Sequence, residues 1–393
     1  MNRHILRSHI VPLGAACIMC ALLPQCGGLT QEDFEQVNVD GFEAEDQLID
    51  HNDYAYSMEY FKADGADDGY LYVGTCNNMG GLIGFYAQVL MNGGDILDAP
   101  IRPPEIRRYR PDLGPTEWET VFDYRDVEDE SSFKTIGFRF MTILEAADAN
   151  KDAPPARFLY AATQGEDSVL WRSKTGNYGE WEHVFTFDQL GGSIRWIEQL
   201  DGRIYLAVAY DSFGEAPPPG EIWVSDNGLD FRPIMQNGFG DPNNRGVQAL
   251  IAYQGWIYAG TKNDIDGFDI WKLRPVAPGS DEYEYVRVVS GGGPSAHNEN
   301  AGMPIIFQDK LYFGTQLYIA GFNPSSGNAF EGCDIIRINE DDSWETVVGP
   351  RSISGYGSGF NHFTNSYLWW MEEHDGWLYA STFDQGTLLS SLL

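Results

Sequence analysis

Cysteine, basic side chains and long apolar runs are all scarce in this chain of 393 residues. Of its five cysteines, Cys17, Cys20 and Cys26 fall near the start, leaving only Cys76 and Cys333. Those two are able to pair, but they make no disulfide framework, and no metal-ligand spacing of Cys and His is present. Lys and Arg number 25 against 58 Asp and Glu, a formal net charge of −33. That balance makes nucleic acid and anionic membrane surfaces poor partners for the molecule as a whole. Cations, basic proteins and neutral ligands remain open, and acidity by itself keeps an exported chain soluble. No phosphate loop, dinucleotide fingerprint or Ser-His-Asp context occurs.

The one substantial apolar run lies at the start. Arg3 and Arg7 precede an uncharged stretch from Ile10 to Leu23, the pattern of an export signal. The run is short for a membrane span, and no later segment is long and apolar enough to cross a bilayer. "LLPQCGG" resembles a lipoprotein cleavage site, with Leu23 three residues before Cys26, although Gln25 stands where a small residue is usual. The sequence therefore implies a leader over 1–26, with Cys26 a candidate for lipidation, and one exported domain over 27–393. Cleavage by an ordinary signal peptidase is the alternative; both place the domain outside the cytoplasm.

What the chain has in quantity is glycine, 44 residues, with 20 prolines and many aromatics spread along it. They punctuate a repeat. One signature, an apolar residue and Tyr often followed by Gly-Thr, occurs as "YLYVGT" (70–75), "FLYAAT" (158–163), "IYLAVA" (204–209), "IYAGT" (257–261), "LYFGT" (311–315) and "LYAST" (378–382). A second follows the first five copies: an apolar strand such as "EIWVS" (221–225) or "DIWKL" (269–273), a polar turn, then an aromatic and a Val or Ile, as in Trp118 to Val121 or Trp344 to Val347. Alternating residues rich in Tyr and Val read as strand. With one more strand before each Tyr strand, every unit supplies four antiparallel strands. The expected architecture is all-β, a six-bladed propeller, since circular closure removes most exposed edges. An open five-blade array or two smaller β domains are alternatives. The sixth unit ends at "GTLLSSLL" (386–393) without its closer, whereas "DFEQV" (33–37) is a closer without a unit. We expect the second to pair with the first and latch the ring.

In that topology, loops entering the innermost strand share a face with loops joining the second and third strands. An asparagine recurs in the entering loops: Asn52, Asn244, Asn298 and Asn365. His51 and His297 precede two of them, and His362 lies in the last loop. With Tyr54, Arg195, Arg245 and Tyr367, these residues outline a mouth able to hydrogen-bond a polar ligand or receive an anion. The competing reading is that each Asn satisfies its own turn and each Arg pairs with a nearby acid. Three histidines near one axis are also a candidate metal site. The second-to-third-strand loops over 77–104, 210–220 and 317–332 are long and carry Phe85, Tyr86, Tyr210, Phe213, Tyr318, Phe322 and Phe330, as binding loops on rigid scaffolds do. "NDIDGFD" places Asp264, Asp266 and Asp269 around Gly267, a weak calcium candidate without EF-hand spacing; "DANKD" (148–152) is weaker still.

The hairpin "VSDNGLDF" (224–231) resembles the Asp-box pattern, with Asp226, Gly228 and Phe231 in place and Val224 where Ser is expected; "RSKTGNYGEW" (172–181) is looser and lacks the Asp. The repeats thus resemble sialidase-like and kelch-like bacterial propellers. That resemblance implies a fold whose Asp-box hairpins are structural. It also implies, for a sialidase, an arginine cluster, for which Arg139, Arg195 and Arg245 are nearest; there is no Arg-Ile-Pro start motif, and the Tyr-Glu pair is not assignable. The expected function is ligand binding without catalysis, to a glycan or protein, by a monomer. The alternative is a glycan-acting hydrolase or lyase using the same face.

Overall fold

The computed structural model describes residues 37, 54–76, 103–114, 116–128, 135–148, 150, 153–165, 167–187, 192–210, 218–317 and 331–386. The leader with Cys26, most of the closer at 33–36, His51, Asn52, much of the long loops and the 387–393 end lie outside them. None of the described helices is long and apolar enough to cross a membrane.

Every strand pairing is antiparallel, and the units are the four-strand meanders that the repeat implies. The first contains β1 (Tyr54–Phe61), β2 (Tyr70–Cys76), β3 (Glu105–Tyr109) and β4 (Trp118–Asp123). The second contains β5 (Thr135–Ala146), β6 (Ala156–Gly165), β7 (Ser168–Ser173) and β8 (Glu182–Phe187). The third contains β9 (Gly192–Leu200), β10 (Arg203–Tyr210), β11 (Glu221–Ser225) and β12 (Arg232–Met235). The fourth runs through β13 (Gly246–Tyr253), β14 (Trp256–Lys262), β15 (Ile270–Pro275) and β16 (Tyr283–Val289). The fifth runs through β17 (Asn300–Phe307), β18 (Lys310–Gln316), β19 (Ile335–Ile338) and β20 (Trp344–Val348). A final hairpin joins β21 (Asn365–His374) to β22 (Trp377–Asp384). The fold is all-β and propeller-like.

The leading strands β1, β5, β9, β13, β17 and β21 contact one another in that order. Tyr54 of β1 meets Trp369 of β21 edge to face, with centroids 6.0 Å apart. Trp196 of β9 stacks on Trp370 of β21 at 5.9 Å, bringing together side chains of the third unit and the final hairpin.

The Gly-Thr signature has a packing reason. The threonine hydroxyl turns back onto the strand that follows: Thr75 Oγ1 accepts from Glu105 N (2.8 Å), Thr261 Oγ1 from Asp269 N (2.8 Å) and Thr315 Oγ1 from Asp334 N (2.7 Å). The glycine before it leaves room for the leading strand of the next unit; at Gly260 a Cβ would land on the Ala301 backbone. Asp-box-like hairpins are likewise structural. Ser225 Oγ accepts from Gly228 N (2.8 Å) and Ser173 Oγ from Gly176 N (2.9 Å), each closing its own turn.

Candidate functional site

All six leading strands break register near the Gly-Thr step of their partner or its equivalent, which is Ala162-Thr163 in β6, Ala207-Val208 in β10 and Ser381-Thr382 in β22. The extra residue at the bulge is Tyr56 in β1, Arg139 in β5, Arg195 in β9, Gln248 in β13 and Trp369 in β21, and β5 and β21 each carry a second bulge nearer their start, at Ile136 and Ser366. In β17 the irregularity comes one pair later, at Met303 and Pro304, with Met303 in the left-handed region (φ 47°). A bulge re-aims the side chain it carries. Repeated on the leading strands, it gives each a half-buried side chain at an equivalent position, and aromatic and cationic residues predominate among them.

These side chains are densely connected. The Arg139 guanidinium lies 4.4 Å from the Tyr56 ring centroid, and the Tyr56 hydroxyl donates to Gln164 Oε1 at 2.5 Å. Tyr54 stands beside Tyr56 with centroids 5.7 Å apart, and burial raises its phenol well above the usual range. On the far side of Arg195, the end of β14 brings up Lys262. Its carbonyl accepts from Arg245 N (2.9 Å), and its ammonium reaches the Tyr210 carbonyl at 3.5 Å. Burial pushes Lys262 down to about 8; Arg195 and then Arg245 add like-charge repulsion, while Glu299 and Asp264 offset part of it. Arg245 pairs with Asp264 at 3.3 Å. In a chain of net charge −33, two guanidiniums, Arg195 and Arg245, thus bear on Lys262, with Arg139 at the equivalent bulge of β5. A desolvated positive site of this kind favours an anion.

The recurrent asparagines do a different job. Asn244 Nδ2 donates to Gly238 O (2.9 Å), Asn298 Nδ2 to Gly292 O (3.1 Å) and Asn365 Nδ2 to Gly359 O (3.0 Å), in each case six residues back. Their oxygens are also engaged: Thr261 donates to Asn244 Oδ1 (3.2 Å) and Thr315 to Asn298 Oδ1 (2.9 Å). Asn244 and Asn298 are buried. Their backbone carbonyls tie the entering loops into the preceding unit by accepting from Gly220 N (at Asn244, 2.7 Å), Phe268 N (at Asn298, 3.0 Å) and Cys333 N (at Asn365, 2.7 Å). The module is Gly-x5-Asn, and its first glycine is left-handed at Gly238, Gly292 and Gly359 (φ 59°, 72° and 61°).

The three aspartates around Gly267 point to separate partners. Asp264 holds Arg245, Asp266 accepts from Asn243 Nδ2 (3.0 Å), and Asp269 accepts from Trp271 Nε1 (3.3 Å). Among the described residues no three His, Cys, Asp or Glu side chains gather as a metal site. Cys76 and Cys333 are buried and unbridged. The Tyr367 ring packs edge-on against Phe383 at 6.2 Å.

No family model matches this chain, and no curated protein matches it. Solved structures do. The cobalt-substituted apocarotenoid oxygenase of Synechocystis aligns with a TM-score of 0.39 and 13% identity, over 72% of this chain and 63% of that one. The exo-beta-1,3-galactanase of Clostridium thermocellum aligns at 0.38 and 11%, over 79% and 64%. An alpha-L-arabinofuranosidase of the same organism aligns at 0.32 and 14%, over 60% and 72%. This chain thus spans about 63% of the length of the oxygenase. At these scores the likeness transfers no substrate or chemistry.

The histidines lead elsewhere. His297 Nε2 lies 3.9 Å from Glu331 Oε1, and His362 stacks on Phe363 with centroids 6.2 Å apart. Glu331 and Phe363 line a cleft of about 380 Å³ between the entering loops of the fifth and sixth units. Sequence reading found Arg195 and Arg245 but missed Lys262, Tyr56 and Gln164. Position was the available signal, since Lys262 directly follows a repeated Gly-Thr and Tyr56 occupies the same bulge as Arg195.

Proposed function

We propose that this chain is an exported six-bladed propeller, monomeric, that binds an anion-bearing polar ligand at its channel mouth, with an acidic carbohydrate as the preferred class. The observation that carries the reading is the desolvated amine of Lys262 beside Arg195 and Arg245. Aromatic faces at Tyr54, Tyr56 and Trp369 lie on the same bulge-bearing strands and suit sugar rings. Calorimetry with uronate oligosaccharides and their neutral counterparts tests it. Binding should prefer the uronates, weaken at least about tenfold in Arg195→Ala, and fall as pH rises past about 8, where Lys262 loses its proton. Equal binding of neutral and acidic sugars would remove the anion from the proposal.

A second reading, a glycan-acting lyase, is favoured by the same amine. A lysine that deprotonates near neutrality between guanidiniums is suited to abstract a proton beside a carboxylate held by them. Appearance of an unsaturated product on incubation with uronate chains, lost in Lys262→Ala, would establish turnover.

Six blades and a closed ring are supported by the contact of Tyr54 with Trp369. The latch by residues 33–37 is a further part of this proposal. Near it, Trp118 Nε1 donates to the Val37 carbonyl at 2.9 Å, which ties that residue to the last strand of the first unit. Deleting residues 31–39 should lower the melting temperature of the whole domain; an unchanged melt removes the latch. Export and lipidation at Cys26 rest on the leader sequence, and mass spectrometry of the secreted or membrane fraction tests both.

A further inference from the structure

We infer that the cleft between the entering loops of the fifth and sixth units is a second binding site, for a neutral sugar residue. Its walls are Pro294 and Ser295 on one side, Ser358, Asn361 and Phe363 on the other, with Glu331 at one edge. The volume, about 380 Å³, falls within the range of roughly 300–1,000 Å³ usual for small-ligand sites.

The chemistry on these walls is complementary to a ring of hydroxyl groups. The Glu331 carboxylate accepts from Ser295 Oγ (3.1 Å) and, at 38% exposure, retains lone pairs facing solvent. Asn361 Oδ1 accepts from Gly357 N (2.8 Å), which fixes the amide and leaves Nδ2 as a donor with no partner among the described residues. The Phe363 ring lies parallel to His362, within 7°, and is 52% exposed. An acceptor, an oriented donor and a half-exposed aromatic ring recognise the hydroxyl groups and the apolar face of a pyranose.

The repeat itself shows that this cleft is a local departure. In the fourth unit the positions equivalent to His297 and Glu331 are Asn243 and Asp266, and these bond directly at 3.0 Å. In the fifth the corresponding pair is 3.9 Å apart, and the acid instead borders the cleft. A chain that departs from its own repeat marks a place where something besides folding constrains it.

The test uses the full mature domain and methyl glycosides of galactose, glucose, xylose and arabinose, with glucuronic acid as the charged comparator. Ligand-observed NMR reads binding. At least one neutral glycoside should bind, about tenfold more weakly to Glu331→Gln and to Phe363→Ala, and with unchanged affinity to Arg195→Ala. Both altered side chains are substantially exposed, so melting should match the parent. Glucuronic acid should be disfavoured here by Glu331, whereas the channel mouth should prefer it, so the two sites succeed or fail separately. Binding of no neutral glycoside, or binding lost in Arg195→Ala and retained in Glu331→Gln, would overturn the assignment.

Discussion

Gly260→Val should destabilise the domain by roughly 3 kcal/mol or more, enough to lower its melting temperature by several degrees or abolish soluble expression. Gly260 sits in β14 where β17 of the next unit crosses it. A Cβ there would fall on the Ala301 carbonyl oxygen and stand 2.9 Å from the Ala301 Cβ. The obstacle is backbone, so no rotamer change relieves it, and separating the strands would disturb the Lys262–Asn300 pairing that joins the two units. Gly74 likewise faces Phe138 and Gly314 faces Leu368, where the nearest obstacles are side-chain atoms. Gly302→Ala is the control: its nearest neighbour is Gln316 Nε2 at 3.7 Å, ordinary contact, and the change should cost under about 1 kcal/mol. Denaturant midpoints decide the matter. Equal stability of Gly260→Val and Gly302→Ala would mean that the repeated glycine does not set the approach of neighbouring units.

That glycine shows why so much of the architecture was legible. "IYAGT" and its relatives carry three constraints together: strand alternation, a small residue for the neighbouring unit and a threonine that fixes the next strand. Repetition multiplies a weak motif until it specifies four strands per unit, as found from β1 to β20. The asparagines were equally visible, and Asn244, Asn298 and Asn365 each donate to the carbonyl of the glycine six positions earlier. Their glycine partners six positions earlier were hidden because this chain has glycines everywhere.

The candidate site was less legible because its residues are selected by register. A bulge cannot be read from alternation, since one added residue shifts every later side chain to the opposite face. Arg139, Arg195, Tyr56 and Trp369 share no local sequence motif; only the bulge opposite the Gly-Thr step or its equivalents aligns them. His297 and His362 were read as part of the mouth; in the structure His297 lies near Glu331, and His362 contacts Thr364 and Phe363.

Thermal stability should fall from pH 5 to pH 7.5, and Glu198→Gln should remove much of the fall. Burial raises Glu198 to about 7, Glu59 to about 6 and Asp334 to about 6. Each folded-state value lies above the ordinary carboxylate range, so the folded protein holds more protons than the unfolded chain in between. The associated stability is fully present below about pH 4.5 and is lost as pH rises through 6 to 7. For Glu198 alone this is on the order of 2 kcal/mol. Glutamine keeps the shape of the side chain but cannot ionise, so the variant should match the parent at pH 5 and exceed it at pH 7.5. Glu119 and Asp123, lowered overall by arginine partners against the opposing effect of burial, act below this window and leave it unchanged. Lys262 works in the other direction. Its folded value of about 8 lies below that of a free lysine, so stability should recover between about pH 8 and 10 as the unfolded chain retains the proton longer. The profile should therefore pass through a minimum near pH 7.5, and Lys262→Met should flatten its alkaline limb alone. A parent melting curve that rises from pH 5 to 7.5, or a Glu198→Gln variant with the parent's slope, would show that these groups are solvated in the folded protein.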